Sequence, residues 1–252
     1  MNTNKITLLL AALFLASTSC KKDEDPPPAD QPPVNYTATI EMEFGFHYGV
    51  DDFDMNSTYN DGAGHAVQFT AIKFFVSDIH FHDDADVEVV AFHDTVLLLD
   101  GTTPEVTYTL GSVTGTHIHA GEFSLGLESA LNHADPASAA APLNDLSMHS
   151  GSTTDGYYFL LVEGRVDDDG DGTVDASDPT FSYHCSTDAL LGTDEVEYHS
   201  DITQGATISK HVEVQVDVLI TGVDALGTPT GVGADAVNVT LMQNLAAAIT
   251  VD

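Results

Sequence analysis

Positive charge is nearly absent from this sequence. Six lysines and arginines stand against 40 aspartates and glutamates, a formal net charge of −34. Such a chain repels phosphate backbones, which excludes nucleic acid as a partner, and it attracts cations. Most of these carboxylates are read as a solvated acidic surface, with a functional reading kept for clusters at ligand spacing. Long apolar runs are lacking as well: the stretch from Ile6 to Ala16 is too short to remain in a bilayer as a spanning helix. Cysteine is confined to Cys20 and Cys185. No H-E-x-x-H, G-x-S-x-G or phosphate loop occurs, and no nucleophile, base and orienter arrangement is visible, so a catalytic role is not expected. There is no internal repeat and no second domain.

What is present begins with a leader. Residues 1–19 have a basic residue, the apolar run and then small residues, the pattern of a secretory signal. The segment ends at Cys20, as in the lipobox of bacterial lipoproteins, although Ser17 stands where Leu is usual. Residues 20–35, "CKKDEDPPPADQPPVN", read as a lipidated cysteine followed by an acidic tether that proline keeps extended. The expectation is an outer-membrane lipoprotein of a Gram-negative, Bacteroidetes-like bacterium, facing the periplasm or the cell surface and touching the membrane through its lipid alone. Lipidation of Cys20 leaves Cys185 without an intramolecular partner; metal ligand, free thiol and small buried residue all stay open.

Residues 36–252 read as one all-β domain. Ile40, Met42 and Phe44 alternate along one face of "TIEMEF". Val67 and Phe69 begin a second pattern that changes phase to Ile72, Phe74 and Val76, as at a bulge or a break between strands. In "HVEVQVDVLI" the alternation is strict, with Val212, Val214, Val216, Val218 and Ile220 inward and His211, Glu213, Gln215 and Asp217 outward. Further strands are expected at 87–99, 105–110, 117–125, 157–166 and 181–185. Short strands punctuated by Gly, Asp and Pro favour a single antiparallel β-sandwich with long loops. "NHADPASAAAPLND" is broken by two prolines and permits short turns; "TLMQNLAAAI" has helical spacing.

The sharpest motif lies between two of these strands. Counting from Asp167, carboxylates fall at positions 1, 3, 5, 9 and 12: Asp167, Asp169, Asp171, Asp175 and Asp178, with Gly172 at position 6. This follows the calcium-loop pattern D-x-D-x-D-G, with Thr173 offering its carbonyl. An EF-hand has Glu at the last position, where Asp178 stands here. Because the flanks are strand-like, the loop is expected to be a structural calcium staple; the alternative is a solvated acidic turn.

Twelve histidines are many for such a chain. His80 with His82, and His117 with His119, have strand spacing, which places both members of a pair on one sheet face. Such pairs chelate copper or zinc, or simply occupy polar-face positions. Lone histidines such as His133 and His199 carry a weaker signal.

Six blocks occur in order: "FGFHYGVDDFDMN", "GHAVQFTAIKFFVSDIHF", "VLLLDG", "FSLGLESALNHADPA", "MHSGSTTDGYYFLLVEG" and "FSYHCS". Together they resemble the MbnP-like proteins, the methanobactin-associated periplasmic copper-binding family and its Bacteroidetes lipoprotein relatives, over roughly residues 36–220. The resemblance implies a secreted β-sandwich that binds copper, with a dihaem peroxidase-like partner that in some members oxidises a tryptophan near the copper to kynurenine. Carried over, His47 matches the histidine of the first strand block and His184 that of the Phe-x-x-His block. His149 lies where relatives have aromatic residues. This sequence has no tryptophan, so kynurenine cannot form, and Cys185 stands where relatives often have glycine. The copper site is then altered, lost, or rebuilt with His149 and Cys185.

Three functions follow as expectations: a lipid-anchored copper-binding or copper-sequestering protein, a calcium-stabilised adhesion or interaction module, and, least favoured, a copper oxidoreductase of superoxide dismutase type.

Overall fold

The computed structural model describes residues 34–251. The leader, Cys20 and nearly all of the tether lie outside the described residues. Strand β1 (Tyr36–Tyr48) is followed by two short strands, β2 (Asp51–Asp52) and β3 (Tyr59–Asn60), and then by β4 (Ala66–His82). Next come β5 (Glu88–Asp100), β6 (Glu105–Gly115) and β7 (His117–Leu125). An excursion carrying helix α1 (Ser129–Asn132) leads to β8 (Tyr158–Val166), which the acidic loop joins to β9 (Thr180–Ser186). The order closes with β10 (Gly192–Asp201), β11 (Thr207–Gln215), α2 (Val216–Leu219), β12 (Thr230–Gly233), α3 (Ala236–Ala248) and β13 (Ile249–Val251).

Two sheets form. In the first, β1 is central: β11 pairs along one edge, with β13 beyond it, and β6 and β2 pair along the other. The second runs β10-β7-β4-β8-β9-β12, with β5 and β3 also on β4. The fold is the expected all-β sandwich. Two of its pairings, β1 with β11 and β9 with β12, are parallel, so the sheets are mixed rather than purely antiparallel.

Strand alternation builds the core between the sheets. Ala38, Ile40, Met42, Phe44 and Phe46 of β1 are buried, as are Ile72, Phe74 and Val76 of β4. Phe46 meets Phe74 across the interface with ring centroids 6.2 Å apart. Each such aromatic side chain contributes about 1.5–3 kcal/mol by leaving water. The Tyr198 hydroxyl of β10 donates to the Glu41 carbonyl of β1 at 3.2 Å, a polar tie between sheets.

Strand β4 is continuous, and the phase change read in its sequence is a bulge: its register against β8 shifts between Phe69 and Ala71. A second irregularity follows between Ser77 and Ile79, where Asp78 has φ 50°. Phe75, on the face opposite Phe74, is buried too, because the excursion before β8 covers it and sets Tyr157 edge-on at 5.9 Å.

The strand expected to reach Ile220 ends at Gln215. Val216, Leu219 and Ile220 are buried while Val218 is half-buried, and that i, i+3, i+4 spacing belongs to one helical turn. Asn244 of α3 caps this turn, donating to the Leu219 and Thr221 carbonyls at 2.9 and 2.8 Å. Helix α3 is longer than its sequence spacing suggested. Strand β10, with alternate Val196 and Tyr198 buried, was not anticipated among its charged residues.

Candidate metal centres

The parallel pairing of β1 and β11 sets Glu43 beside His211 and Gly45 beside Glu213. Phe44, Phe46, Val212 and Val214 point into the core, so His47, His211 and Glu213 stand on the outer face. Each offers a ligand atom within 4.8 Å of the others. The His47 and His211 rings lie 6.1 Å apart at 72°. Gly45 makes this possible. A Cβ there would lie 3.0 Å from Nε2 of His47 and 3.0 Å from Cε1 and Nε2 of His211. Nε2 of His47 is buried and has no hydrogen-bond partner among the described residues. Leaving such an atom unpaired costs about 1–3 kcal/mol, which a ligand would offset. Around the cluster, Asp52 lies 3.7 Å from Nδ1 of His47, Glu43 lies 4.0 Å from Nδ1 of His211, and Gln215 donates to Glu213 at 2.9 Å.

The structure does not bring His47 together with His184, His149 or Cys185. His184 alternates outward on β9, in the other sheet, so the core lies between the two histidines. Its Nε2 meets Glu163 at 2.7 Å and its ring lies 4.4 Å from that of Tyr158. Cys185 is fully buried with its Sγ 3.8 Å from the Asn238 carbonyl, and burial pushes its thiol far above the ordinary value. It is a core residue, unsuited to hold a metal as thiolate. Nδ1 of His149 accepts from the Gly151 amide at 3.0 Å, and its Nε2 is buried without a partner.

The two H-x-H pairs each draw in residues from neighbouring strands and turns. His80 gathers with Asp78 and His93, not with His82. Its Nε2 lies 3.0 Å from Asp78 and its Nδ1 3.0 Å from Glu88, while His93 reaches Asp78 at 2.7 Å. Burial works against the Asp78 carboxylate, but the hydrogen bonds from His93 and His80 outweigh it and hold its pKa below the ordinary value. Burial likewise works against the His80 imidazolium, and the bonds to Glu88 and Asp78 raise its pKa nevertheless. His82 stacks on His80 with centroids 6.3 Å apart. His119 gathers with Asp84 and His199, and His117 faces Asp201. His211, Glu213 and His93 were not named as candidate ligands, and His199 only as a lone histidine. For His211 and Glu213 the signal existed, in the outward positions of an alternating strand. His93 and His199 depend on strand pairing.

In the acidic loop, Asp167, Asp169 and Asp171 converge. Asp167 accepts the amides of Asp169, Gly170 and Gly172 at 3.1, 2.8 and 2.7 Å. Asp169 accepts from the Asp171 amide and Asp171 from that of Thr173, at 3.0 and 2.7 Å. Asp175 and Asp178 belong to a separate turn, where Asp178 accepts the Asp175 amide at 2.6 Å.

No curated protein matches this chain. Among solved structures, MbnP from Methylosinus trichosporium is similar in fold, with a TM-score of 0.50 and 15% sequence identity, covering 80% of this chain and 82% of that one. The MbnP family profile matches residues 37–237, which is most of the described β-sandwich and includes His47, both H-x-H pairs, the acidic loop and His211: the chain belongs to the MbnP family.

Proposed function

We propose that this protein binds copper, in a holding or sequestering role rather than a catalytic one. The observation that carries the reading is the meeting of His47 and His211 over Gly45, with a buried, unpaired Nε2 on His47. The donor set fits: two imidazoles and the Glu213 carboxylate suit copper, and imidazole is a preferred ligand for it. When bound there, the ion would supply a positive centre at the mouth of an acidic surface. The chain's own residues do the rest. Asp52 and Glu43 add negative charge beside the imidazoles, Gln215 holds Glu213, and Gly45 leaves the space. The resemblance to copper-binding relatives supports the same reading, and a dihaem peroxidase-like partner belongs to the proposal. Attachment through lipidated Cys20, toward the periplasm or the cell surface, is part of the proposal. So is a structural calcium ion in the 167–178 loop, supported by the convergence of its first three aspartates.

The test is a titration of untagged, metal-free protein with Cu(I) and Cu(II) in competition with a chelator. Expected is a dissociation constant below about 1 µM, raised about tenfold or more in His47→Ala and His211→Ala. Affinity weaker than that in the parent, or unchanged in both variants, rejects the reading. The acidic loop favours a second one, a calcium-stabilised interaction module, which requires calcium-dependent stability without selective copper affinity.

A further inference from the structure

The second sheet holds a group of imidazoles that the His47 cluster does not use. Strand β7 opens with His117-Ile118-His119, and β10 pairs Ser200 with Ile118 and Asp201 with His117. Between Glu197 and Ser200 the register shifts, and His199 sits in that irregularity with φ 31°. A positive φ is uncommon for any residue with a side chain, and irregularities of this kind re-aim the side chains they carry. Here His199 is brought edge-on to His119, with ring centroids 4.5 Å apart, and within 6.2 Å of His117.

Asp84, in the turn between β4 and β5, approaches the same rings. Its Oδ1 lies 3.3 Å from Nδ1 of His119 and 3.7 Å from Nε2 of His117. Asp84, His119 and His199 each place a ligand atom within 4.8 Å of the others. Nδ1 of His119 is buried yet makes no hydrogen bond among the described residues, despite the nearby carboxylate. His117 is already oriented from behind, its Nδ1 facing Asp201 at 3.0 Å, which is the carboxylate–histidine arrangement that fixes a ligating imidazole. Tetrahedral zinc with ligands at 2.0–2.1 Å separates them by about 3.3 Å; the ligand atoms of Asp84, His119 and His199, within 4.8 Å of one another, are near that spacing, and Nε2 of His117 flanks them 3.7 Å from Asp84.

We propose that Asp84, His117, His119 and His199 form a second metal site, distinct from the His47 cluster, that takes a divalent first-row cation of zinc type. Three imidazoles and one carboxylate exclude calcium and magnesium, which want oxygen, and suit zinc. The ligands are solvent-accessible to different degrees, with side-chain exposures of 71% for Asp84 and 26% for His117, so the ion can exchange with solution.

The test uses the full untagged chain, stripped of metal, with Zn(II) as ligand and Co(II) as a spectroscopic stand-in. Expected are visible cobalt bands of tetrahedral intensity, bleached by zinc. His119→Ala and His199→Asn should each weaken zinc binding about tenfold or more and abolish those bands. Asparagine tolerates the left-handed backbone, so His199→Asn keeps the strand geometry. Asp84→Asn, in an exposed turn, provides a third variant should another fail to fold. The double variant His47→Ala, His211→Ala should retain the bands and the zinc affinity, whatever becomes of copper. Wild-type zinc affinity in folded His199→Asn and Asp84→Asn, or loss confined to the His47/His211 double variant, overturns the proposal.

Discussion

His47 and His211 lie on strands that run in the same direction, and their rings face each other across a residue that has no side chain. They are 164 positions apart in sequence (211 − 47) and become neighbours because β11 pairs along one edge of the central strand β1. The cluster therefore depends on the sheet and on one glycine.

Substituting Gly45→Ala should test that dependence. The new methyl would sit 3.0 Å from both imidazoles, forcing the rings apart. Copper affinity should fall about tenfold or more, while the fold holds, since Ala replaces Gly in a strand at a gain of up to about 1 kcal/mol in backbone entropy. Chelator competition and a thermal melt read the two effects separately; undiminished affinity would dissociate the glycine from metal binding.

The acidic loop separates two roles of its aspartates. Asp167 holds three backbone amides, so Asp167→Ala should lower the melting temperature even in chelator. Asp171 accepts one amide, that of Thr173, so Asp171→Asn should melt near the parent in chelator but lose any rise on adding millimolar calcium. Identical parent melts with calcium and with chelator would remove the staple.

Asp194 predicts a dependence on pH. Burial of its carboxyl, with Oδ2 unpartnered and the charge of Glu195 adjacent, pushes its pKa from 3.8 up to about 6. The folded state thus holds a proton that the unfolded state has released. Stability contributed by this group is full below about pH 4 and declines as pH rises toward about 6. Asp194→Asn should match the parent near pH 4 and exceed it by about 1–2 kcal/mol at neutral pH, after allowance for half exposure. Urea unfolding across that range measures it; a constant difference at all pH values would contradict the sign.

Cys185 should be chemically silent. In a Cys20→Ser chain, where Cys185 is the sole thiol, a disulfide reagent should react with the native protein at least about a hundredfold more slowly than with the unfolded one. Rapid native reaction would contradict its place in the core.

Much of the fold could be read from the sequence, because alternation is a local signal. Strand β7 was bounded as observed, and the bulge in β4 was announced by the phase change after Phe69. The reading failed where local patterns are ambiguous. Val216–Ile220 satisfies strand and helix equally, and the packing of α3 selects the helix. Four of the ten residues of strand β10 are carboxylates, which hides its two buried side chains. For the candidate metal-site residues the limit is sharper. His47 was picked out, but its partner was sought at His184, because nothing local reveals that β11 lies beside β1. His80 was read with His82 and His119 with His117, along one strand each; the cross-strand contacts that add His93 and His199 were not visible. Spacing along one strand describes a face; which residues meet on it is a property of pairing.

That same parallel pairing sets a constraint in time. A ribosome delivers β1 early, but β11, which must lie against it, is not made until about four-fifths of the domain has emerged. Until then one long edge of the first sheet's middle strand stays open to wrong partners. A nascent chain stopped near residue 200 should therefore remain protease-sensitive and dependent on chaperones, and deleting the last few dozen residues should undo a sheet whose centre lies at the opposite terminus.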